Sequence, residues 1–290
     1  MPTGSDRLEK GQPVCWPGAV LLLALVTGAV EAEERPRAIS MAPHLTELAF
    51  AAGVGDRLVG VVDYSDFPAQ ATELPSIGDA FRFDLERILA LEPDLALAWR
   101  GGTPPQTIER ISAFGVEAVW VETRSLDDIA DALALIGERL GRGELGRSAA
   151  REFREALTET ERPIVRNPRR VFYQVSPRPL YTLGGRHVIN EVFERCGLVN
   201  IFAGLDTEAA VVDFEAVLAA EPDWIIAGRA GAGGDKGPDP LEQWRDPSLV
   251  DPERVRLLEV DAELLIRPTP RIIAGIEYLC QLGEADTAPD

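Results

Sequence analysis

Few side chains in this sequence are equipped for covalent or metal chemistry. Of 290 residues, two are histidine, His44 and His187, and three are cysteine. Two imidazoles that met carboxylates at one point could hold a metal ion and activate water. That arrangement would make the chain a secreted metal-dependent enzyme. The local sequences favour a plainer role. His44 lies in PHLTELAFAAG and His187 in RHVINEVFERCG, each near the start of a helical pattern. There a ring caps or packs the first turn, and two separate helix starts do not readily share one metal. Cys-x-x-Cys, His-Glu-x-x-His, Gly-x-Ser-x-Gly and the glycine-lysine phosphate loop are absent. The glycines at 231–234 follow a strand pattern but lack dinucleotide-binding spacing. No catalytic residue, cofactor or resident metal is expected.

Residues suited to recognition are better represented. In α/β proteins ligands bind beyond the carboxyl ends of strands. Tyr64 and Trp99 fall at such ends, and Phe81 and Phe83 sit in the loop before a helix. In the second half, Tyr173, Ser176, Arg178 and Tyr181 fall after the first strand, and Arg267 follows the last one. Trp99 is equally readable as core. Trp120 and Trp224 read as core and Trp244 as packing.

The elements that position these residues are written twice. Residues 83–99 read FDLERILALEPDLALAW and residues 212–228 read VDFEAVLAAEPDWIIAG. Eight aligned positions are identical, among them Asp84/Asp213, Glu86/Glu215, Glu92/Glu221, Pro93/Pro222 and Asp94/Asp223. Chance pairing would give about one. Each copy predicts a short helix, an E-P-D turn and a buried strand. The proline removes the residue before it from the helical region and ends the helix. An apolar run suits a strand covered on both faces. PHLTELAFAAG and RHVINEVFERCG match as well, Glu47 with Glu191 and Gly53 with Gly197, if one residue is skipped. Two α/β lobes of one design follow, with a cleft between them.

The join is helical. Ser125 with Asp128 is a helix-start pattern, and Ile129, Leu133, Ile136 and Leu140 recur at helical spacing. A second helical stretch runs from about 145 to 157, and Pro163 lies beyond it. The fold class is therefore α/β: two three-layer lobes with mostly parallel sheets, joined by a single long interdomain helix. Expected boundaries are 33–124 for the first lobe, 125–164 for the connecting helices, 165–284 for the second lobe, and 285–290 for a tail.

Residues 1–32 are expected to be a signal peptide. Arg7 and Lys10 precede the apolar run AVLLLALVTGAV, which ends near Ala32. The run is short for a membrane span, which needs roughly 20 residues. An uncleaved anchor is the alternative. The mature chain then keeps Cys196 and Cys280, either bridged or as two buried thiols. Hydrophobic content of 46% and charged content of 27% describe a soluble globular chain. A net charge of −19 argues against nucleic acid or an anionic membrane as partner.

The motifs TELAFAAG (46–53), VVDYSDFPAQA (61–71), LERILALEPDLALAWRGG (85–102), CG-x-x-NIF (196–202) and TPRII (269–273) carry a family resemblance. The chain resembles the periplasmic binding proteins of metal-chelate uptake, and within them the cobalamin-binding members. The resemblance implies a periplasmic protein, monomeric when free, that captures a corrinoid in the interlobe cleft. It would hand this cargo to an ABC permease dimer with a cytoplasmic ATPase. It implies ligand contacts at Tyr64 and Trp99, and along Asp261, Glu263, Leu264, Leu265, Ile266 and Arg267. It implies a disulfide between Cys196 and Cys280, and permease docking through Glu86 and Glu215. A favourable acidic residue at a helix start is the bland alternative for those two glutamates.

The sequence departs from the family where aromatics are expected, at Gly78-Asp79-Ala80, at Glu208-Ala209-Ala210 and at Leu264-Leu265. Phe81 or Phe83 could compensate on one side. Haem or a ferric siderophore is the alternative cargo. Haem would need His44 or Tyr64 as an axial ligand. An anionic siderophore would need Arg100, Arg178, Arg186 and Arg267 to converge.

Overall fold

The computed structural model describes residues 35–79, 82–163, 165–229 and 238–285. The expected signal peptide at 1–32, Phe81, most of the loop at 229–239 and nearly all of the tail lie outside them.

The first lobe alternates strand and helix. Its elements are β1 (Ala38–Ser40), α1 (Pro43–Ala51), β2 (Leu58–Val61), α2 (Leu85–Ala90), β3 (Leu95–Trp99), α3 (Pro105–Ser112) and β4 (Glu117–Val121). Among the described residues these strands form one parallel sheet in the order β2-β1-β3-β4. Apolar side chains fill both faces. Leu45, Leu48, Leu97 and Ile129 belong to one core, and Ile39, Ile77, Ile88 and Ile111 to the other.

Two helices follow, α4 (Leu126–Arg139) and α5 (Gly143–Glu159). The start of α4 is a capping box. Asp128 N donates to Ser125 Oγ at 3.1 Å, and Ser125 N to Asp128 Oδ2 at 2.8 Å. Arg142, in the turn between the helices, donates to Gly53 O at 2.6 Å and to both oxygens of Asp56, at the base of the first lobe. Arg195 of the second lobe meets the far end of α5 at Leu157 O and Thr160 Oγ1. The long helix expected between the lobes is thus α5, about 25 Å over 17 residues. α4 lies antiparallel against it. The two approach closely at Gly137 and Gly146, where a Cβ on Gly137 would stand 2.6 Å from Gly146 Cα.

The second lobe comprises β5 (Arg169–Pro177), β6 (Leu180–Leu183), α6 (Ile189–Arg195), β7 (Leu198–Asn200), β8 (Ala209–Val211), α7 (Phe214–Ala219), β9 (Trp224–Arg229), β10 (Arg256–Asp261), α8 (Ala262–Ile266) and α9 (Ile272–Ala285). Its sheet runs β10-β9-β5-β6-β8, with β7 beside the first half of β5. The pairs β10–β9, β9–β5 and β5–β7 are parallel, and β5–β6 and β6–β8 are antiparallel. One sequence expectation needs correction here. Tyr173, Ser176 and Tyr181 do not follow a strand. β5 continues to Pro177 and turns back through Arg178 into β6. The antiparallel partner satisfies the backbone that a loop would have left open.

Both copies of the repeat fold alike. Glu92 and Glu221 adopt φ of 46° and 44°, left-handed rather than extended, and end α2 and α7. Asp94 Oδ2 accepts from Arg37 N at 2.8 Å, and Asp223 Oδ2 from Arg170 N at 2.7 Å. The arginine side chains close the same turns. Arg37 donates to Leu91 O and Glu92 O, and Arg170 to Ala220 O. Gly53 and Gly197, the matched helix stops, both have positive φ. Cys196 and Cys280 are bonded, with Sγ atoms 2.09 Å and Cα atoms 4.6 Å apart.

Candidate functional site

The candidate site lies where the carboxyl end of the first lobe's sheet meets α8 and α9 of the second. Tyr64 sits in a turn just past β2, with its side chain 79% exposed and φ at 65°. The turn rests on buried hydroxyls. Ser65 Oγ is 3.1 Å from Thr46 Oγ1, which donates to Ser40 Oγ at 2.9 Å. Asp63 N donates to Gly78 O at 2.8 Å.

Trp99 ends β3 and is half-buried. His44 meets it edge to face, with ring centroids 5.1 Å apart. Gly102 makes room for the indole, since a Cβ there would stand 2.3 Å from the ring. The pair Gly101-Gly102 is therefore demanded by the aromatic beside it. Phe83 instead packs against the core around Ile39 and Ile77. Phe81 lies outside the described residues.

The 261–267 segment is split between two roles. Asp261 caps α8 by accepting from Glu263 N at 3.0 Å. Leu264 and Ile266 are half-buried, and Leu265 is 1% exposed and part of the main core. Leu265 therefore offers no surface to a ligand. Periodicity on the short helix α8 turns it inward.

Arg267 reaches across the lobe interface. Its Nη1 donates to Glu47 Oε1 at 2.9 Å and to Asp66 Oδ1 at 2.7 Å. Its Nη2 donates to Tyr64 O at 3.3 Å and pairs with Glu263 Oε1 at 3.0 Å. Arg271 binds both oxygens of Glu47, at 2.9 and 2.7 Å, and lies over the Phe67 ring at 4.2 Å. Glu47 is 3% exposed, so two guanidiniums balance a buried charge. A lone Glu in TELAFAAG gives no local signal of this partnership, since its partners lie 220 and 224 residues away.

At another point of the interface Arg124 pairs with Glu122 at 3.2 Å and Glu208 at 3.3 Å. Glu191, the counterpart of Glu47, also reaches out of its lobe, accepting from Leu126 N at 2.8 Å at the start of α4. Burial raises its pKa.

The histidines come closer than their sequence positions suggest. Burial pushes His44 down to about 3, and the fields of Arg267 and His187 add to the shift. Burial pushes His187 down to about 4, opposed by a bond to the Ile266 backbone. His187 Nδ1 accepts from the backbone N of Ile189, the first residue of α6, at 3.1 Å. His44 Nε2 is buried without a partner among the described residues. Both rings are neutral at physiological pH. Among the described residues no three of His, Cys, Asp and Glu are grouped to hold a metal ion.

The four arginines that an anionic cargo would gather are dispersed. Arg186 pairs with Asp206, Arg100 lies over Trp120 and near Glu122, Arg178 is exposed in the β5–β6 turn, and Arg267 is bound as above. Glu86 and Glu215 are exposed in the first turns of α2 and α7. Among the described residues neither enters an ion pair.

The profile of the family described as periplasmic binding protein matches residues 39–245, nearly the whole of both sheets. The chain belongs to this family. A vitamin B12-binding protein of Vibrio cholerae serotype O1 is 38% identical over 250 residues, covering 84% of this chain and 87% of that one. A vitamin B12-binding protein of Yersinia pestis is 35% identical over 282 residues, covering 97% and 95%. The crystal structure of the periplasmic vitamin B12-binding protein of Vibrio cholerae superposes with a TM-score of 0.75 at 36% identity, covering 88% of this chain and 98% of that one. A periplasmic heme-binding protein from Roseiflexus shares the fold, with a TM-score of 0.73 at 24% identity over 86% and 98%. The family is one of binding proteins rather than of enzymes. Among the described residues no helix is long and apolar enough to cross a membrane.

Proposed function

We propose that this chain is a periplasmic binding protein that captures cobalamin between its lobes and delivers it to an ABC permease. The observation that carries the choice of cargo is the identity of 34–38% to vitamin B12-binding proteins over most of the chain. The haem-binding neighbours share little beyond the fold. The local chemistry points the same way. A neutral corrin with amide side groups needs aromatic faces and hydrogen-bonding rims, not a cationic cluster. Tyr64 and Trp99 supply the aromatic faces. Asp261, Glu263, Leu264 and Ile266 supply the rim of the second lobe. On this reading the lobes end near 125 and resume near 165, and the connecting helices join them without contributing to the cleft. Export through a cleaved signal at 1–32 gives the periplasmic address, and Glu86 and Glu215 are the docking points.

Titration of the purified mature protein with cyanocobalamin, haem and a ferric siderophore tests the reading. Saturable binding of cyanocobalamin alone is expected. Tight haem binding with no cyanocobalamin binding would overturn it, and would turn attention to the exposed Tyr64 phenol as an iron ligand.

A further inference from the structure

Tyr64 is held in an unusual backbone conformation for its type. Its ring is exposed, and its backbone lies at φ 65°. Aromatic residues seldom adopt that region, and they stay there only where the surroundings over-determine it. Part of the constraint is local. Ser65, 6% exposed, bonds the hydroxyl of Thr46, and Ser65 N donates to Val62 O at 3.3 Å. The rest comes from the other lobe. One guanidinium, that of Arg267, holds the carbonyl of Tyr64 and the carboxylate of Asp66. Its two Nη atoms make three hydrogen bonds, to Glu47, Asp66 and Tyr64 O, and an ion pair with Glu263. An arginine so occupied has little left to offer a ligand.

We propose that Arg267 is a positioning residue, which fixes the Tyr64 turn from the opposite lobe instead of contacting the cargo. The inference rests on the cobalamin reading only for what Tyr64 touches; the latch itself is independent of cargo. Arg267 is then the point where the spacing of the lobes and the presentation of the Tyr64 ring become one variable. Glu47 and Glu263 hold the guanidinium in place, and Asp66 is its anchor on the turn.

Two measurements test this on the purified mature protein. The first is amide hydrogen exchange of residues 63–67 without ligand. Arg267→Ala should speed exchange there about tenfold or more while leaving β1 unchanged. Arg267→Lys should restore part of the protection, since one ammonium can still reach Asp66. The second is a double-mutant cycle read by cyanocobalamin titration. Arg267→Ala should weaken binding about tenfold in the parent, but less than about threefold in a Tyr64→Ala background. Equal losses in both backgrounds would show that Arg267 acts on cargo directly, and unchanged exchange at 63–67 would show that it holds no turn. Either result overturns the proposal. A parent that binds no cyanocobalamin sinks the cargo assignment alone, and the exchange measurement still decides the latch. Should Arg267→Ala not fold, Asp66→Asn removes one arm of the same contact and is read identically.

Discussion

Glu47 and Arg271 form a two-point ion pair across the lobe interface, with Oε2 on Nε at 2.9 Å and Oε1 on Nη2 at 2.7 Å. Parallel N–H···O bonds of this kind fix direction as well as distance. Glu47 stands on the first helix of one lobe and Arg271 just before the last helix of the other. The interface is thereby held by a buried carboxylate shared between two guanidiniums.

Glu47→Ala should destabilise the protein by roughly 1–3 kcal/mol, since both guanidiniums lose a buried hydrogen-bonded partner while Glu263 and Asp66 remain beside them. The two arginine side chains keep 16% and 21% of their surface, which tempers the cost. Urea unfolding midpoints check this, and a variant within 0.5 kcal/mol (roughly the scatter of an ordinary surface substitution) would show the pair to be energetically idle.

Tyr64→Gly separates stability from binding. Glycine adopts positive φ freely, so the variant should keep or gain stability, by up to about 1 kcal/mol. Cyanocobalamin affinity should fall, because the ring is gone. Trp99→Ala should weaken binding by roughly 1–3 kcal/mol in the same titration. If both variants bind like the parent, neither ring faces the cargo.

Stability should fall on acidification below neutrality. His44 and His187 are neutral in the folded protein, with pKa pushed down to about 3 and about 4. In the unfolded chain each takes up a proton near pH 6.5. Their contribution is therefore complete above about pH 6.5 and is lost as pH drops toward 4, at up to about 1.4 kcal/mol per pH unit for each ring. Glu191 and Glu208, raised by burial, act in the opposite sense near their own range. Unfolding free energies from pH 7 to 4 should show the decline, and His44→Gln with His187→Gln should flatten it. An equally steep decline in the double variant would assign it instead to carboxylates that arginine partners hold below the usual range, such as Asp206 and Asp239.

Glu86→Arg with Glu215→Arg should abolish uptake in cells while cyanocobalamin binding by the purified protein stays at the parental level. Exposed ion pairs add little affinity singly but orient an encounter. Surviving uptake would place docking elsewhere.

Much of this architecture is legible from local pattern. The repeat at 83–99 and 212–228 announces two lobes, because a helix stop and a buried strand are short-range features. The capping box at Ser125 and the heptad-like Ile129, Leu133 and Ile136 are equally local. What escapes is what depends on distant segments. Nothing near Arg267 in the sequence signals that Glu47 and Asp66 lie around it. The hairpin from β5 to β6 escapes because RRVFYQVS carries no mark of where its strand ends. Leu265 is hidden because a short helix gives too few residues to reveal its buried side.

The α4–α5 hairpin has a consequence for traffic. Its glycines bring the two helix backbones together, and Arg154 of α5 ties to Asp127 and Asp131 of α4. A joint so braced resists bending, so the protein is expected to keep nearly the same outline with and without cargo, which scattering curves of the two forms would check. On the proposed function, shape alone would then not tell a permease whether a loaded or an empty receptor had arrived. Empty receptors would occupy the same docking positions as full ones, and excess receptor would delay delivery instead of hastening it. On that reading the quantity to be balanced would be the ratio of receptor to cargo, not the amount of receptor.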